Sequence, residues 1–500
     1  MRWLAIALIA LGPVAILLAP AFPTLDGWAH LQTARMLWHG PDGVVFCPNP
    51  APVPNQLGHW LLALLQAILP GLVAERALLA ITMLLLSMGL WMLARALGGE
   101  PAITTVFLPF TWSIFLVLGF HNFLLGSGLA LVFAAAWVWR GRAAAIPLAA
   151  LVAATLVLLA CHNMALGLFL LIAGAHELAV LVAALRAKPA PGAARAAWRR
   201  LVLFAAACLP AVALAAAFTA SQSTHATDLP VADKLLQLHE LRSLVLYSVD
   251  QEFRLINLMQ WLLGATVLIA TASLWRHHRA SRGGFLLLCA AALLALYLML
   301  PDSVGYASYI TWRLQLFFIA VLVAWSASQR WPWQASVAVV LAAGLLHGAR
   351  LRKALGDIAG TSAVVERVTA AAAAMPEGSV VLPINHETNW LLGHIPSLLA
   401  AERDLIVLDN YECAQGYFPL RWCPGLPEGV HGHAAGSDHC LGWLDDHLAR
   451  GAAPRIDRIV VLGWAVDTAN CGHAALERVL SERFSPVLDN GYARVHALRP

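Results

Sequence analysis

The chain has 500 residues, of which 60% are hydrophobic and only 12% charged, with a mean hydropathy of +0.71 and a formal net charge of +4. Soluble globular chains carry about 45–50% apolar and about 25% charged residues, so most of this chain does not meet water. The same balance excludes a disordered protein, and 32 basic against 28 acidic residues with no long basic run speaks against nucleic acid as a partner.

A membrane-spanning helix needs about 20 mostly apolar residues, and about eleven such runs follow one another here. The first, Trp3–Phe22, has no small-residue cleavage site leading into a soluble domain and is expected to be retained as a helix. The polar loop Pro23–Asn55 follows, carrying Asp26, His30, Gln32, Arg35, His39, Asp42 and Asn49. Asp26 and His30 are four apart, so on a helix both side chains lie on one face. That pair suits acid–base work or part of a divalent metal site. Asp is also a favoured N-cap, here for an amphipathic helix running to Trp38, and the two roles can coexist. Leu57–Pro70 is apolar but only about fourteen residues long, which suits an interfacial or re-entrant helix.

Further spans are expected at Val73–Leu97, Ala102–Gly119, Phe120–Trp139, Ala144–Ala160, His162–Leu185, Leu201–Ala220, Met259–Trp275, Gly284–Leu300, Trp312–Ala327 and Gln334–Gly348. His121-Asn122 and His162-Asn163 each precede an apolar helix containing Gly. A single turn of this kind reads equally well as a wet, capped helix end; two on one membrane face favour a shared polar site. His176 and Glu177, deep in the sixth run, favour a neutral or paired structural role over catalysis. Arg313 opens the tenth run, where it can snorkel to the interface or bind an anionic phosphate.

Lys and Arg are retained in the cytoplasm. With Arg2 inside, the inside connections carry Arg95; Arg140 and Arg142; Arg186, Lys188, Arg195, Arg199 and Arg200; Arg276, Arg279 and Arg282; and Arg330. The alternate connections near Phe120 and His162 carry no Lys or Arg. Arg350, Arg352 and Lys353, which follow the last span on the outside, disagree with the pattern. The polar residues of the loops then collect on the outer face.

From about Arg350 the composition becomes mixed. Short apolar runs at Ser379–Pro383, Asp404–Leu408 and Arg458–Leu462 read as buried strands, with helical stretches such as Ala363–Ala374 and Gly442–Arg450 between them. Residues 351–500 are therefore expected to form a small α/β external domain after a membrane domain over 1–350, with the first external loop at 23–56. Cys413, Cys423, Cys440 and Cys471 lie in it, and Cys413–Cys423 with Cys440–Cys471 is one of three possible pairings. Cys47 is left over. The cluster His431, His433, Asp438, His439 and Cys440 can ligate zinc, but its spacing fits no strong zinc pattern and its glycines suggest a flexible loop. The loop with His386, Asn389, Trp390 and His394 follows a strand, a common place for a site. No phosphate-binding loop, nucleophile elbow or His-Glu-x-x-His motif occurs.

The layout resembles the GT-C type glycosyltransferases. The resemblance rests on Asp26 after Phe22-Pro23, on interfacial candidates at Leu25–Trp38 and Leu57–Pro70, and on the domain from Arg350. The stretches Gly119-Phe120-His121-Asn122-Phe123-Leu124-Leu125-Gly126 and Leu159-Ala160-Cys161-His162-Asn163 also look like signatures of bacterial members. It implies a bacterial inner-membrane enzyme with a cytoplasmic N-terminus and a periplasmic C-terminal domain. Such an enzyme transfers a sugar, with inversion, from a polyprenyl-phosphate carrier to a periplasmic or lipid acceptor. Asp26 and His30 are then the expected catalytic residues, Asp26 as base or as ligand to a divalent cation (Mg or Mn). His121, Asn122, His162, Asn163 and Arg313 are the expected substrate-binding residues, Arg313 holding the lipid-linked phosphate. Asp26 has no adjacent acidic partner, and no Trp-Trp-Asp signature is present. The rival readings are a lipid or glycolipid transporter, for which Glu177 speaks, and a non-catalytic relative.

Overall fold

The computed structural model describes residues 1–51, 53–140, 147–186, 192–221, 225–277, 283–305, 307–426, 442–463 and 471–500. The chain is a polytopic helical protein with a small sheet near its C-terminus. Among the described residues, seven helices are long and apolar enough to cross a membrane: Gly71–Ala96, His121–Trp139, Asn163–Arg186, Ala193–Ser221, Val249–Arg276, Ile310–Ala327 and Trp333–Ala373. Three further expected runs form shorter apolar helices, Arg2–Leu18, Leu148–Cys161 and Phe285–Met299. Leu57–Gln66 is a ten-residue helix, as its short apolar run predicts. The run Ala102–Gly119 departs from expectation. It breaks into Pro101–Phe107, Leu108–Thr111 and Ile114–Leu118. Thr104, Thr105 and Thr111 each turn a hydroxyl back onto the carbonyl three residues earlier, a local bond that competes with the helix ladder. Gly119, at φ +78°, then ends the segment in a conformation that side chains disfavour.

The chain divides into two compact units, one of residues 1–15, 79–116 and 121–354, the other of residues 16–78, 117–120 and 355–500. In the first, helices approach closely where side chains are small. A Cβ on Gly126 would stand 2.8 Å from the Cβ atoms of both Ala165 and Cys161, and one on Gly128 would stand 2.7 Å from that of Leu85. Membrane helices pack in this way because lipid supplies no hydrophobic drive. Large apolar side chains such as Leu209, Leu214, Trp261 and Leu268 are exposed, as a lipid-facing surface requires. Glu177 accepts from Trp137 Nε1 at 2.7 Å and from Arg200 at 2.6 Å, so it is a paired structural group. The helix Trp333–Ala373 runs unbroken through position 350, joining the expected last span to the expected helical stretch beyond it. Arg350 is fully buried and paired with Glu252 at 2.5 Å. It also donates to the carbonyls of Trp112 and Leu244. A buried, paired guanidinium is no topological signal, which accounts for part of that disagreement with the charge pattern.

The second unit is built on a five-stranded mixed sheet in the order Ile406–Val407, Val380–Asn385, Arg458–Leu462, Ala493–Leu498, Phe484–Asp489. The first three strands are parallel and the last two pairings antiparallel. Val380–Asn385 is buried on both faces, as its continuous apolar run demands of a central parallel strand. Val381, Val407, Val460 and Val495 face one core with Trp28, Leu31 and Ala34 of helix Gly27–His39, Leu62 of helix Leu57–Gln66, and Val365 and Val368. Leu382, Ile384, Ile459 and Val461 face the other core, with Phe46, Leu444, Leu476 and Phe484. The first polar loop is thus part of the sheet domain's core. Strand Phe46–Pro48 pairs antiparallel with Leu420–Trp422, and Cys47 is disulfide-bonded to Cys423. This corrects the Cys413–Cys423 pairing: Cys413 is a buried free thiol. Cys440 lies outside the described residues, as do His431, His433, Asp438 and His439.

Candidate functional site

Asp26 occupies the N-cap position of helix Gly27–His39 but makes no capping bond with its side chain. Thr24 takes that task, its hydroxyl oxygen accepting from the Gly27 amide at 3.1 Å and its hydroxyl donating to Glu75 at 2.6 Å. The Asp26 carboxylate is therefore left for other partners. It accepts from the Tyr411 hydroxyl and lies 3.6 Å from His394 Nε2. His394 and Tyr411 stack at 4.4 Å. Burial pushes the His394 imidazole down to about 4, so it is neutral at pH 7. Burial, then the charges of Asp26 and Glu412, push the Tyr411 hydroxyl far up, so it remains a donor.

One turn further, His30 meets two residues that its sequence neighbourhood does not announce. Its Nδ1 points at the Glu412 carboxylate and stands 3.0 Å from His59 Nε2, which is itself 2.9 Å from the same Glu412 oxygen. His30 Nε2 lies 3.0 Å from the Gly119 carbonyl. Gly119 is required there, because a Cβ would stand 2.8 Å from the Gly27 amide nitrogen. Segment 117–120 reaches this place by accepting hydrogen bonds from the Leu25 and Asp26 amides at Val117 and Leu118. Glu412 is fully buried; its other oxygen accepts from the Thr33 hydroxyl, and its amide donates to the Asn410 side chain at 3.0 Å. Burial alone would raise the Glu412 carboxyl, but the His59 and His30 rings outweigh it and hold it well below the usual carboxylate range. Burial lowers the proton affinity of His30, and Glu412 more than restores it, leaving it raised. Among the described residues, His30, His59 and Glu412 form a group of three whose ligand atoms converge as a metal ion would need.

A separate constellation lies in the first unit. His162 ends helix Leu148–Cys161 and begins helix Asn163–Arg186. Its Nδ1 accepts from the Met164 amide at 3.1 Å, and its Nε2 lies 3.2 Å from an Arg313 Nη1. A neutral imidazole has a single lone pair, yet two donors address this ring. Arg313 is buried in the first turn of helix Ile310–Ala327 with its guanidinium 5.3 Å from the Phe123 ring centre. Phe123 packs edge-on against His162 at 5.4 Å. Arg313, His162 and Phe123 thus meet in one part-buried cluster. Asn163 begins the second helix, and its side-chain oxygen has no hydrogen-bond partner among the described residues. His121 and Asn122 are buried in the first turn of helix His121–Arg140.

The expected residues thus fall into two groups. Asp26 and His30 belong to the unit built on the sheet, and His162, Asn163 and Arg313 to the helical unit, with His121 and Asn122. His59, Glu412 and Tyr411 escaped the sequence reading; His394 was visible in its post-strand loop. No spacing signal links His30 to Glu412, which lie 382 positions apart.

No protein-family profile matches the sequence, and no curated protein matches it. Among solved structures, the fold is similar to that of ArnT from Cupriavidus metallidurans bound to undecaprenyl phosphate. The TM-score is 0.56 at 11% identity, covering 98% of this chain and 97% of that one. The likeness extends over both units and bears out the GT-C-like fold read from the sequence.

Proposed function

We propose that this chain is a membrane glycosyltransferase that takes a sugar from a polyprenyl-phosphate donor and passes it, with inversion, to an acceptor outside the cytoplasm. The observation that carries this reading is the GT-C-like fold, which sets Asp26 at the start of a first-loop helix that its carboxylate does not cap. Arg313, beside His162, holds the carrier phosphate, and a guanidinium stabilises the charge that grows there as the sugar leaves. Asp26 takes the proton of the acceptor hydroxyl; its carboxylate is not consumed by capping, and the Tyr411 hydroxyl orients it. Asn163 and His121-Asn122 supply polar contacts to the donor. The GT-C-like fold and the undecaprenyl phosphate bound to ArnT support the same carrier chemistry. The disulfide between Cys47 and Cys423 supports an oxidising, periplasmic setting for the sheet-bearing unit of a bacterial inner-membrane protein. Glu177, the residue that spoke for a transporter, is accounted for by its pairing with Arg200 and Trp137.

The test is a deletion strain complemented with wild type, Asp26→Asn or Arg313→Ala, comparing surface glycans and lipid-linked sugars. Deletion is expected to remove a glycan modification and to accumulate a polyprenyl-phosphate-linked sugar. Both variants should be made at normal level yet restore transfer at least ~100-fold less well. Unchanged glycans in the Asp26→Asn strain would refute the assignment.

A further inference from the structure

The structure assigns a zinc-class metal site to His30, His59 and Glu412. The Gly119 carbonyl, 3.0 Å from His30 Nε2, can only accept, so the ring carries its proton on that nitrogen. In the neutral ring, the form that binds a metal, His30 Nδ1 is then a lone pair, and it is aimed at a carboxylate oxygen and at a second imidazole nitrogen. Three electron-rich atoms face a common point with His59 Nε2 2.9 Å from Glu412 Oε1. Around a tetrahedral zinc such atoms stand about 3.3 Å apart at bond lengths of roughly 2.0–2.1 Å. Small side-chain rotations bring the three to that spacing.

The surroundings are those of a metal site too. Metal-binding histidines usually donate their second ring N–H to a carbonyl or carboxylate, as His30 does to Gly119. Ligating carboxylates are hydrogen-bonded in turn, as Glu412 is by Thr33. Asn410 fixes the Glu412 backbone and donates to the Thr33 hydroxyl at 3.1 Å. Phe418 packs edge-on against His59 at 5.5 Å, closing the site with an apolar ring. Two imidazoles and one carboxylate suit zinc and its transition-metal neighbours; magnesium and manganese favour oxygen-rich sets. The ion ties the first-loop helices Gly27–His39 and Leu57–Gln66 to segment Tyr411–Ala414. The assignment does not rest on the proposed reaction, since metal content is read without substrate.

The experiment uses the full-length protein in detergent, from cells grown with added zinc. Elemental analysis is expected to give about one zinc per chain. Absorption spectroscopy at the zinc edge should show a nitrogen and oxygen shell with imidazole scattering and no sulfur. After chelation, zinc should rebind stoichiometrically while magnesium and manganese do not. His59→Ala and Glu412→Gln should each lower zinc to below about a fifth of wild type, whereas Asp26→Asn keeps it. If those variants do not fold, the wild-type content, spectrum and rebinding decide alone. Wild type without zinc that also fails to rebind it, a sulfur-containing shell, selective binding of magnesium or manganese, or full zinc in folded His59→Ala and Glu412→Gln would each overturn the assignment.

Discussion

Asp409 shows how much a single buried group changes with pH. Burial pushes its carboxyl from 3.8 up to about 7. A carboxyl whose folded value is raised costs nothing below its unfolded value and costs progressively more as pH rises towards its folded value. Asp409→Asn removes that cost. Thermal unfolding in detergent should show the variant more stable at pH 8, by at most ~4 kcal/mol, with the gain shrinking steadily towards pH 5. A gain independent of pH would show that ionisation is not the cause. At this scale the sequence was partly readable. Asp26 and His30 stand out through their spacing, because helical periodicity is local. His59 and Glu412 do not, because their roles depend on chain segments brought together only by folding. The capping role offered for Asp26 was undone by Thr24, whose hydroxyl reaches the Gly27 amide first.

Between elements, the buried pair of Glu252 and Arg350 holds together the helices Val249–His277 and Trp333–Ala373 and the segment 244–248. Glu252 also accepts from the amides of Leu246, Tyr247 and Ser248, so each charge has several partners. Removing one partner strands the other in a low-dielectric interior, which costs roughly 3–5 kcal/mol. Arg350→Met should therefore lower the thermal midpoint sharply. The double variant Arg350→Met with Glu252→Leu should recover only part of it, since three amides then lose their acceptor. An Arg350→Met protein as stable as wild type would show that the pair is no pin. Long apolar helices and central strands were legible here, because a continuous apolar run carries its own signal. The broken stretch 101–118 was not, since hydropathy reports burial and is blind to threonines that bond their own backbone.

For the whole molecule, the sequence conveyed the class, the GT-C-like fold and an α/β element near the C-terminus. It did not convey that residues 16–78 share cores with residues 355–500, because long-range packing leaves no periodic trace. The bond between Cys47 and Cys423 is the covalent form of that sharing. Cys47→Ser should lower stability by about 2–4 kcal/mol. Reductant should bring wild type down to the variant's midpoint and leave the variant unmoved. An equal fall in both would assign the effect of reductant elsewhere.

The shared core also bears on how the protein is made. Trp28 and Leu31 find their neighbours among strands near the end of the chain, and Cys47 and Cys423 lie 376 positions apart. At about 5–20 residues per second of synthesis, the first loop waits roughly 20–75 s for its partner to emerge. Through that interval its apolar side chains lack their final cover, and Cys47 is a free thiol. The N-terminal loop therefore reaches its final packing only after most of the chain has been made. Truncation near the C-terminus would be felt first at the N-terminus.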